Sequence, residues 1–148
     1  MRYFEDMVVG EIRRFGHYHV TREEVLDFAS RYDPQPFHLS DEAAARTHFG
    51  KLAASGWHTC AMTMSMMVGD FEDDQQAGLG SPGVDELRFL KPVFPGDTLR
   101  CESELLNKQL SRSRPNRGSL WTQIRTFNQN DEMVLRFIGI SMIQARGE

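Results

Sequence analysis

The segment from Ser55 to Gly69 is apolar on almost every side of a predicted helix. Its apolar residues recur at intervals of three and four positions, and no charged residue lies between Lys51 and Asp70. The main stripe consists of Trp57, Cys60, Ala61, Met64, Met67 and Val68, and Met62 and Met66 extend the apolar surface to the other sides. A helix of this length spans only ~20 Å, which is too short for a membrane crossing. The pattern therefore predicts a helix that is buried inside a soluble protein and wrapped by other elements.

Before this segment, the pattern predicts one strand and two helices. Glu11–Val20 has the alternation of a strand. A Thr-x-x-Glu capping box that begins at Thr21 predicts a helix ending near Tyr32. A second N-cap, Ser40, predicts a short helix through about Thr47.

After this segment, the chain has the pattern of a loop followed by four strands. Asp70–Gly83 is acidic and then rich in glycine, which predicts a loop. The predicted strands are Asp85–Leu90, Thr98–Leu106, Leu120–Asn128 and Met133–Ile143. In the second of them, Leu99, Cys101, Ser103 and Leu105 alternate with charged residues, which predicts one buried face. The order of elements predicts an α+β fold in which an antiparallel β-sheet curls around a long central helix.

The composition is that of an ordinary globular protein. The 148 residues correspond to one domain, which we expect to span residues 1–148. The net charge of −4 argues against nucleic acid or an anionic membrane as a partner. The two cysteines, Cys60 and Cys101, have no metal-ligand spacing and favour free thiols in a reducing, cytoplasmic location.

Candidate chemistry is concentrated in the heptapeptide Tyr32–His38, which holds Asp33 and His38 with two prolines between them. Each proline fixes its own φ and disfavours helix in the residue before it, so we expect a stiff extended loop. Such a loop can point both side chains into one pocket, where a carboxylate and an imidazole can activate a water molecule. The alternative is an ordinary helix-ending turn with a surface aspartate and a loop histidine.

The start of the apolar helix is a second candidate. If Ser55 is the N-cap, the N–H group of Gly56 has no partner within the helix. Glycine allows a ligand to approach the backbone closely, and the helix dipole favours negative charge there. Gly56 could therefore stabilise a developing oxyanion. The alternative is that glycine simply allows the buried helix end to pack.

Other polar residues have simpler explanations. His58 is interpreted as a core histidine, and His17 and His19 as exposed strand residues rather than metal ligands. Three arginines of a predicted hairpin loop could contact phosphates, although a solvated loop is favoured: Arg112, Arg114 and Arg117.

Three stretches resemble a known family: Asp33–His38, Phe49–His58 and Leu87–Leu99. The family is the MaoC-like dehydratases, the (R)-specific enoyl-CoA hydratase group. Asp33-Pro34-Gln35-Pro36-Phe37-His38 resembles the motif Gly-Asp-x-Asn-Pro-x-His, with its Asp, Pro and His in place. Phe49–His58 is similar to the family's entry to its central helix, and Leu87–Leu99 is similar to the strand and turn that follow. The resemblance covers nearly the whole chain in the same order. It implies a hot-dog fold, a homodimer and acyl thioesters as substrates.

The resemblance also implies roles for individual residues. Asp33 and His38 would activate water for addition to an enoyl thioester, and the Gly56 amide would be the oxyanion donor. The expected substrate-binding residues are Gln35, Ser55 and Trp57. No separate cofactor or metal is expected, because coenzyme A is part of the substrate.

The chain departs from the family's pattern in three respects. Tyr32 and Gln35 replace the motif's glycine and asparagine, and Ser55 replaces a histidine that is frequent before the helix glycine. A serine found one helical face further along in characterised hydratases falls near Met64. Two alternatives to a hydratase therefore remain open. One is a hot-dog thioesterase, and the other is a subunit that binds acyl thioesters without catalysis.

Overall fold

Five antiparallel strands curve over one long helix in this computed structural model, which describes residues 1–73 and 75–147. The strand order is β1-β3-β4-β5-β2. The strands are β1 (Ile12–His19), β2 (Gly78–Phe89), β3 (Thr98–Leu110), β4 (Arg117–Phe127) and β5 (Met133–Gln144). The helices are α1 (Arg22–Tyr32), α2 (Asp41–Ala44) and α3 (Gly56–Asp73). The predicted α+β architecture, an antiparallel sheet around a central helix, is confirmed.

The alternation predicted for β3 is confirmed. Leu99 and Cys101 are fully buried, and Leu105 is 7% exposed. The strand continues to Leu110, beyond the predicted end, because its last residues pair with β4 as far as Gly118. Its inner face forms part of the main core, against which α3 packs.

The loop predicted for Asp70–Gly83 is wrong at both ends. α3 continues to Asp73, and the Asp70 carboxylate accepts two hydrogen bonds from Arg13, at 2.8 and 3.1 Å. This ion pair stabilises an acidic residue inside the helix. β2 already begins at Gly78, which pairs with Ile143 of β5. Asp74, within the predicted loop, lies outside the described residues.

The buried face of α3 also differs from the predicted stripe. The buried residues of the helix include His58, Thr59, Met62, Thr63 and Met66. By contrast, Trp57, Met64 and Val68 of the predicted stripe are 60%, 50% and 45% exposed. A helix that is apolar on all sides has no periodicity that identifies its inner face. The sheet instead covers the side on which Thr63 can hydrogen-bond to Thr126, with a 2.8 Å distance between the hydroxyl oxygens.

The helices before α3 have the predicted caps. The Thr21 hydroxyl accepts the N–H of Glu24 at 3.2 Å, and the Ser40 hydroxyl accepts the N–H of Ala43 at 3.2 Å. α2 is shorter than predicted and ends at Ala44. The predicted extended loop is wrong in part, because Pro36–His38 forms a single 3₁₀ turn. Proline is tolerated in a first helical turn, where its missing N–H would have had no partner.

The loop between α2 and α3 is held by the turn that follows β2. The N–H of Ala54 donates to the carbonyl of Val93 at 2.8 Å, and both residues are buried. Within the described residues, none of the helices combines the length and apolar character that a membrane crossing requires.

Candidate active site

Asp33 and His38 lie beside each other where α1 ends. The backbone N–H of Asp33 donates to the carbonyl of Ala29 and so closes the last turn of α1. His38 ends the 3₁₀ turn that begins at Pro36. Asp33 Oδ2 lies 3.5 Å from His38 Nε2, and the two side chains are 16% and 7% exposed. The structure thus brings together the acid and the imidazole that the sequence singled out.

The orientation of the His38 ring is fixed by a contact of the nitrogen that faces away from Asp33. Nδ1 lies 2.7 Å from the carbonyl oxygen of Ala53. Because a carbonyl only accepts hydrogen bonds, Nδ1 must carry a proton and donate it. The rings of Phe37 and Phe49 flank the imidazole, with centroids 4.5 and 5.9 Å away. In the neutral ring, the free lone pair is therefore on Nε2, the nitrogen that faces Asp33.

Two donors hold the Asp33 carboxylate. The side-chain amide of Gln35 donates to Oδ1, and the hydroxyl of Ser55 donates to Oδ2, both at 2.7 Å. Partial burial raises the pKa of Asp33, but these two hydrogen bonds and the neighbouring His38 outweigh it. The net result is a pKa below the ordinary value of 3.8. Asp33 is therefore an ionised carboxylate at neutral pH, able to accept a further hydrogen bond.

Ser55 also caps α3. Its oxygen accepts the N–H of Trp57 at 3.3 Å, as an N-cap residue does. Ser55 is fully buried. The N–H of Gly56, the first residue of α3, donates to no acceptor within the described part of the chain. One hydroxyl group thus joins the carboxylate to the amino end of the helix, and it leaves the Gly56 N–H available.

The three predicted substrate-binding residues have different surroundings. Gln35 and Ser55 contact the Asp33 carboxylate directly. Trp57 is exposed, and its ring meets that of Phe89 edge-on, with centroids 5.9 Å apart.

Sequence reasoning missed two site residues. The carbonyl of Ala53 could not have been found, because no side-chain pattern indicates a backbone acceptor. Phe89 lies in a predicted strand, but its contact with the start of α3 depends on an irregularity in that strand.

His58 is a buried residue at the junction of α1 and α3. Its ring stacks on Phe28, with centroids 4.6 Å apart and an interplanar angle of 6°. Nε2 lies 3.7 Å from the Glu24 carboxylate, which also accepts a hydrogen bond from the Tyr18 hydroxyl. Burial lowers the pKa of His58, and Glu24 offsets this only in part. Burial and Glu24 together raise the pKa of Tyr18 to about 12. A core histidine is thus the interpretation that the structure supports.

The arginine loop is remote from this site along the sheet. It follows the far end of β3, whereas the start of β3 lies next to the end of β1 and the turn that supports Ala54. At ~3.3 Å per residue, this strand of 13 residues spans about 40 Å. Two of the arginines are exposed and the third is half-buried: Arg112, Arg114 and Arg117. The structure does not bring them to Asp33 of the same chain.

A cavity of about 350 Å³ lies between the second half of α3 and the sheet. Its lining is mainly apolar and includes Met67, Phe137 and Ile143. This volume and lining are typical of small-molecule pockets. Among the residues that the structure describes, no group of three or more His, Cys, Asp or Glu side chains is arranged to hold a metal ion.

Several known proteins are similar to this chain in sequence and in architecture. The family model described as "MaoC like domain" matches residues 6–120. The crystal structure of a MaoC-like dehydratase from Rhodospirillum rubrum is similar over 100% of both chains, with a TM-score of 0.91 and 37% identity. The Bacillus subtilis protein YdeM, described as uncharacterized, is 30% identical over 88% of this chain and 90% of its own length. The unliganded R-hydratase PhaJ1 from Pseudomonas aeruginosa has a TM-score of 0.66 and 26% identity, covering 99% of this chain and 86% of its own.

Proposed function

Because this chain belongs to the MaoC-like family, we propose that it is a hydro-lyase that acts on acyl-CoA thioesters. The proposed reaction is the reversible syn hydration of a trans-2-enoyl-CoA to an (R)-3-hydroxyacyl-CoA. The family of hydratases and dehydratases supports the class of reaction. The direction, the stereochemistry and the residues assigned below are our proposal.

The observation that carries the proposal is the pairing of two acceptors. Oδ2 of Asp33 and Nε2 of His38 face each other at 3.5 Å, and the contact of Nδ1 with Ala53 leaves the Nε2 lone pair free. Two acceptors at this separation suit a water molecule that donates a hydrogen bond to each. The same arrangement suits the hydroxyl group that leaves in the reverse reaction.

In the proposed mechanism, Asp33 accepts a proton from water as the oxygen adds to C3 of the enoyl group. His38 positions the water and shares the proton transfer. The proton taken from the water is the one delivered to C2, so that Asp33 and His38 end the reaction in the protonation states in which they began. Negative charge develops on the thioester oxygen, where the unpaired Gly56 N–H and the amino end of α3 would stabilise it. Positioned acid–base groups of this kind contribute ~10²–10⁴-fold to a rate.

The apolar cavity beneath α3 would accommodate the acyl chain of the substrate. Its mainly apolar lining suits an alkyl chain, and it lies along the helix whose first residue would bind the thioester oxygen. No separate cofactor is needed for this reaction.

We further propose that the protein is a homodimer. Five large apolar side chains are between 37% and 50% exposed in the single chain, and we assign them to one apolar contact face: Met64, Val68 and Phe71 of α3 with Leu79 and Val84 of β2. A large exposed apolar surface usually marks an interface, and β2 is also an edge strand that a second copy can cover. Light scattering at micromolar concentration should report twice the 17.0 kDa of one chain. A stable monomer would contradict this assignment.

We also propose a cytoplasmic location. Two cysteines without a disulfide are compatible with it.

One assay tests the proposed activity against its alternatives. The protein is incubated with crotonyl-CoA, and the enoyl absorbance and the free thiol are followed together, with a 3-hydroxyacyl-CoA as substrate for the reverse reaction. Loss of enoyl absorbance without thiol release is the expected result. Release of thiol would indicate a thioesterase. Saturable binding without either signal would indicate a subunit that binds acyl thioesters without catalysis.

A further inference from the structure

The ring of Phe89 lies directly against Gly56. A Cβ atom added to Gly56 would stand 2.8 Å from three carbons of this ring. The Cβ position and the N atom of one residue are ~2.5 Å apart by covalent geometry, so the ring carbons lie within ~5 Å of the Gly56 nitrogen. A carbonyl oxygen bound to the N–H would sit ~2.9 Å from the nitrogen. The ring therefore lies close to the nitrogen whose N–H would bind that carbonyl.

An irregularity in β2 aims Phe89 at the helix. Asp85 pairs with Ile138 and Arg88 pairs with Arg136, so two residues of β2, Glu86 and Leu87, face one residue of β5. This is the arrangement of a β-bulge. With strict alternation from Val84, which lines the cavity, Glu86 and Arg88 would point inward and Phe89 outward. The extra residue instead turns Leu87 and Phe89 towards α3.

The bulge is held in an unfavourable backbone conformation. Glu86 has φ of +54°, in the left-handed region that residues other than glycine seldom adopt. Such a conformation persists only when the surrounding structure imposes it, and it often accompanies functional sites. Phe89, which the bulge turns towards α3, is not part of a closed core. Its side chain is 51% exposed, and that of its neighbour Trp57 is 60% exposed. Packing alone thus leaves half of an inward-turned aromatic side chain uncovered.

We propose that Phe89 is a specificity-determining residue, which sets the size limit for a substituent on the carbon next to the thioester carbonyl. C2 of the acyl group lies one bond from the carbonyl carbon. When the thioester oxygen accepts the Gly56 N–H, a substituent on C2 would contact the Phe89 ring. The substrates are then acyl thioesters with at most a small substituent at C2. This inference rests on the proposed function, because it takes the Gly56 N–H as the donor to the thioester.

The test compares trans-2-butenoyl-CoA with its 2-ethyl derivative. For each enzyme, the ratio of kcat/KM for the 2-ethyl substrate to that for the unsubstituted one is measured. Phe89→Leu and Phe89→Ala should raise this ratio by at least ~10-fold, the usual effect of a changed methylene in a pocket. Phe89→Trp should lower it. Phe127→Leu is the matched control. The Phe127 ring packs under Arg100, whose Cζ lies 4.4 Å from the ring centroid, so this variant should leave the ratio unchanged.

A binding measurement separates this inference from the proposed reaction. In a Trp121→Phe background, Trp57 is the only tryptophan, and its contact with Phe89 makes it a reporter of the site. Butyryl-CoA and 2-ethylbutyryl-CoA cannot be hydrated, and their dissociation constants are read from Trp57 fluorescence. The measurement is made in this background alone and in the same background with Phe89→Leu added.

Each outcome has a definite meaning. Hydration with an unchanged ratio in folded Phe89→Leu and Phe89→Ala would overturn the inference and leave the proposed function standing. A shift of similar size in Phe127→Leu would overturn it as well. If the wild type hydrates neither substrate, the proposed function fails, and the inference stands only if Phe89→Leu tightens 2-ethylbutyryl-CoA binding by at least ~10-fold relative to butyryl-CoA.

Discussion

The hydroxyl group of Ser55 donates a 2.7 Å hydrogen bond to Asp33, and its oxygen accepts the N–H of Trp57 in the first turn of α3. One short side chain therefore stabilises the ionised form of the carboxylate and also caps the helix. These two effects can be measured separately, because the first changes the pH dependence of activity and the second changes the free energy of unfolding.

Ser55→Ala should move the acidic limb of the pH–rate profile. Loss of the donor removes stabilisation of the charged carboxylate, so the pKa of Asp33 rises towards or above its ordinary 3.8. The fraction of active, ionised Asp33 then falls at a higher pH than in the wild type. The loss of the N-cap should also cost ~0.5–2 kcal/mol in the free energy of unfolding. The profile of kcat/KM against pH measures the first effect and urea unfolding the second.

Ser55→Thr is the matched control, because it keeps the hydroxyl group. An acidic limb that stays in place in Ser55→Ala, with activity intact, would show that Ser55 does not tune Asp33.

Asp33→Asn and His38→Ala should each lower the hydration rate by at least ~10²-fold, the scale of a lost acid–base group. Asparagine keeps size and polarity but cannot accept a proton from water. Because both residues would act on one water molecule, the double variant should be little slower than either single variant. Steady-state rates provide the measurement, with thermal unfolding as the control for folding. Losses that multiply independently would mean that the two residues do not share a water molecule, and near-full activity of Asp33→Asn would end the assignment.

The two explanations of Gly56 can be separated by a double substitution. Gly56→Ala places a methyl group 2.8 Å from the Phe89 ring, so it should lower both stability and activity. Phe89→Ala removes that obstacle. In the double variant, stability should return to that of Phe89→Ala, whereas activity should stay at least ~10-fold below it if a substrate must approach the backbone at this position. Full recovery of activity in the double variant would show that glycine serves packing alone.

His58 should make the protein less stable at mildly acidic pH. The unfolded chain binds a proton near the ordinary value of 6.5, whereas burial lowers the pKa of His58 in the folded chain. Below pH ~6.5 the unfolded state therefore binds more protons, and the free energy of unfolding falls until the pH reaches the folded pKa. His58→Phe keeps an aromatic ring against Phe28 but cannot bind a proton, so this part of the pH dependence should flatten. Urea unfolding between pH 7.5 and about 5 gives the comparison.

His48, which is exposed, supplies a control for that measurement. His48→Phe makes the same exchange of histidine for phenylalanine at an exposed position and so controls for the exchange itself. An unaltered slope in His58→Phe would mean that other groups cause the acid sensitivity.

Val68→Glu should weaken the proposed dimer. Val68 is 45% exposed on α3, and a carboxylate there would have to be buried without a partner at the interface. Sedimentation over a range of concentrations should show dissociation at concentrations where the wild type is paired. Val8→Glu changes an equally apolar residue, 61% exposed outside the apolar face, and should not alter the assembly. If both variants behave as the wild type does, the proposed face is not the contact.

Local chemistry made the first part of the site predictable. The prolines between Asp33 and His38 exclude a continuous α-helix, and capping signals at Thr21 and Ser40 mark where the helices on either side begin. These features act over a few residues, so the sequence shows them directly. The alternation of Leu99 and Cys101 is equally local, and it identified the inner face of β3.

The remaining features depend on distant parts of the chain. Met64 and Met66 are equally apolar, and only the position of the sheet decides that Met66 is buried and Met64 half exposed. Phe89 faces α3 because of a bulge opposite β5, and an alternating pattern gives no sign of an inserted residue. Continuation of α3 past Asp70 likewise depends on Arg13, 57 residues earlier in the chain.

Because of the hydrogen bond between Ala54 and Val93, the site is complete only after a later part of the chain has been synthesised. His38 is oriented by the carbonyl of Ala53, and the next residue is held by a turn that leaves the ribosome 55 residues after His38. A nascent chain that ends before Val93 would contain Asp33, His38 and Gly56 without the support that orients the imidazole. Since long-range pairings form late in folding, hydration activity should appear only when the strands that follow have assembled. Hydration activity would then indicate complete folding more strictly than helix content does, because the helices can form before the later strands.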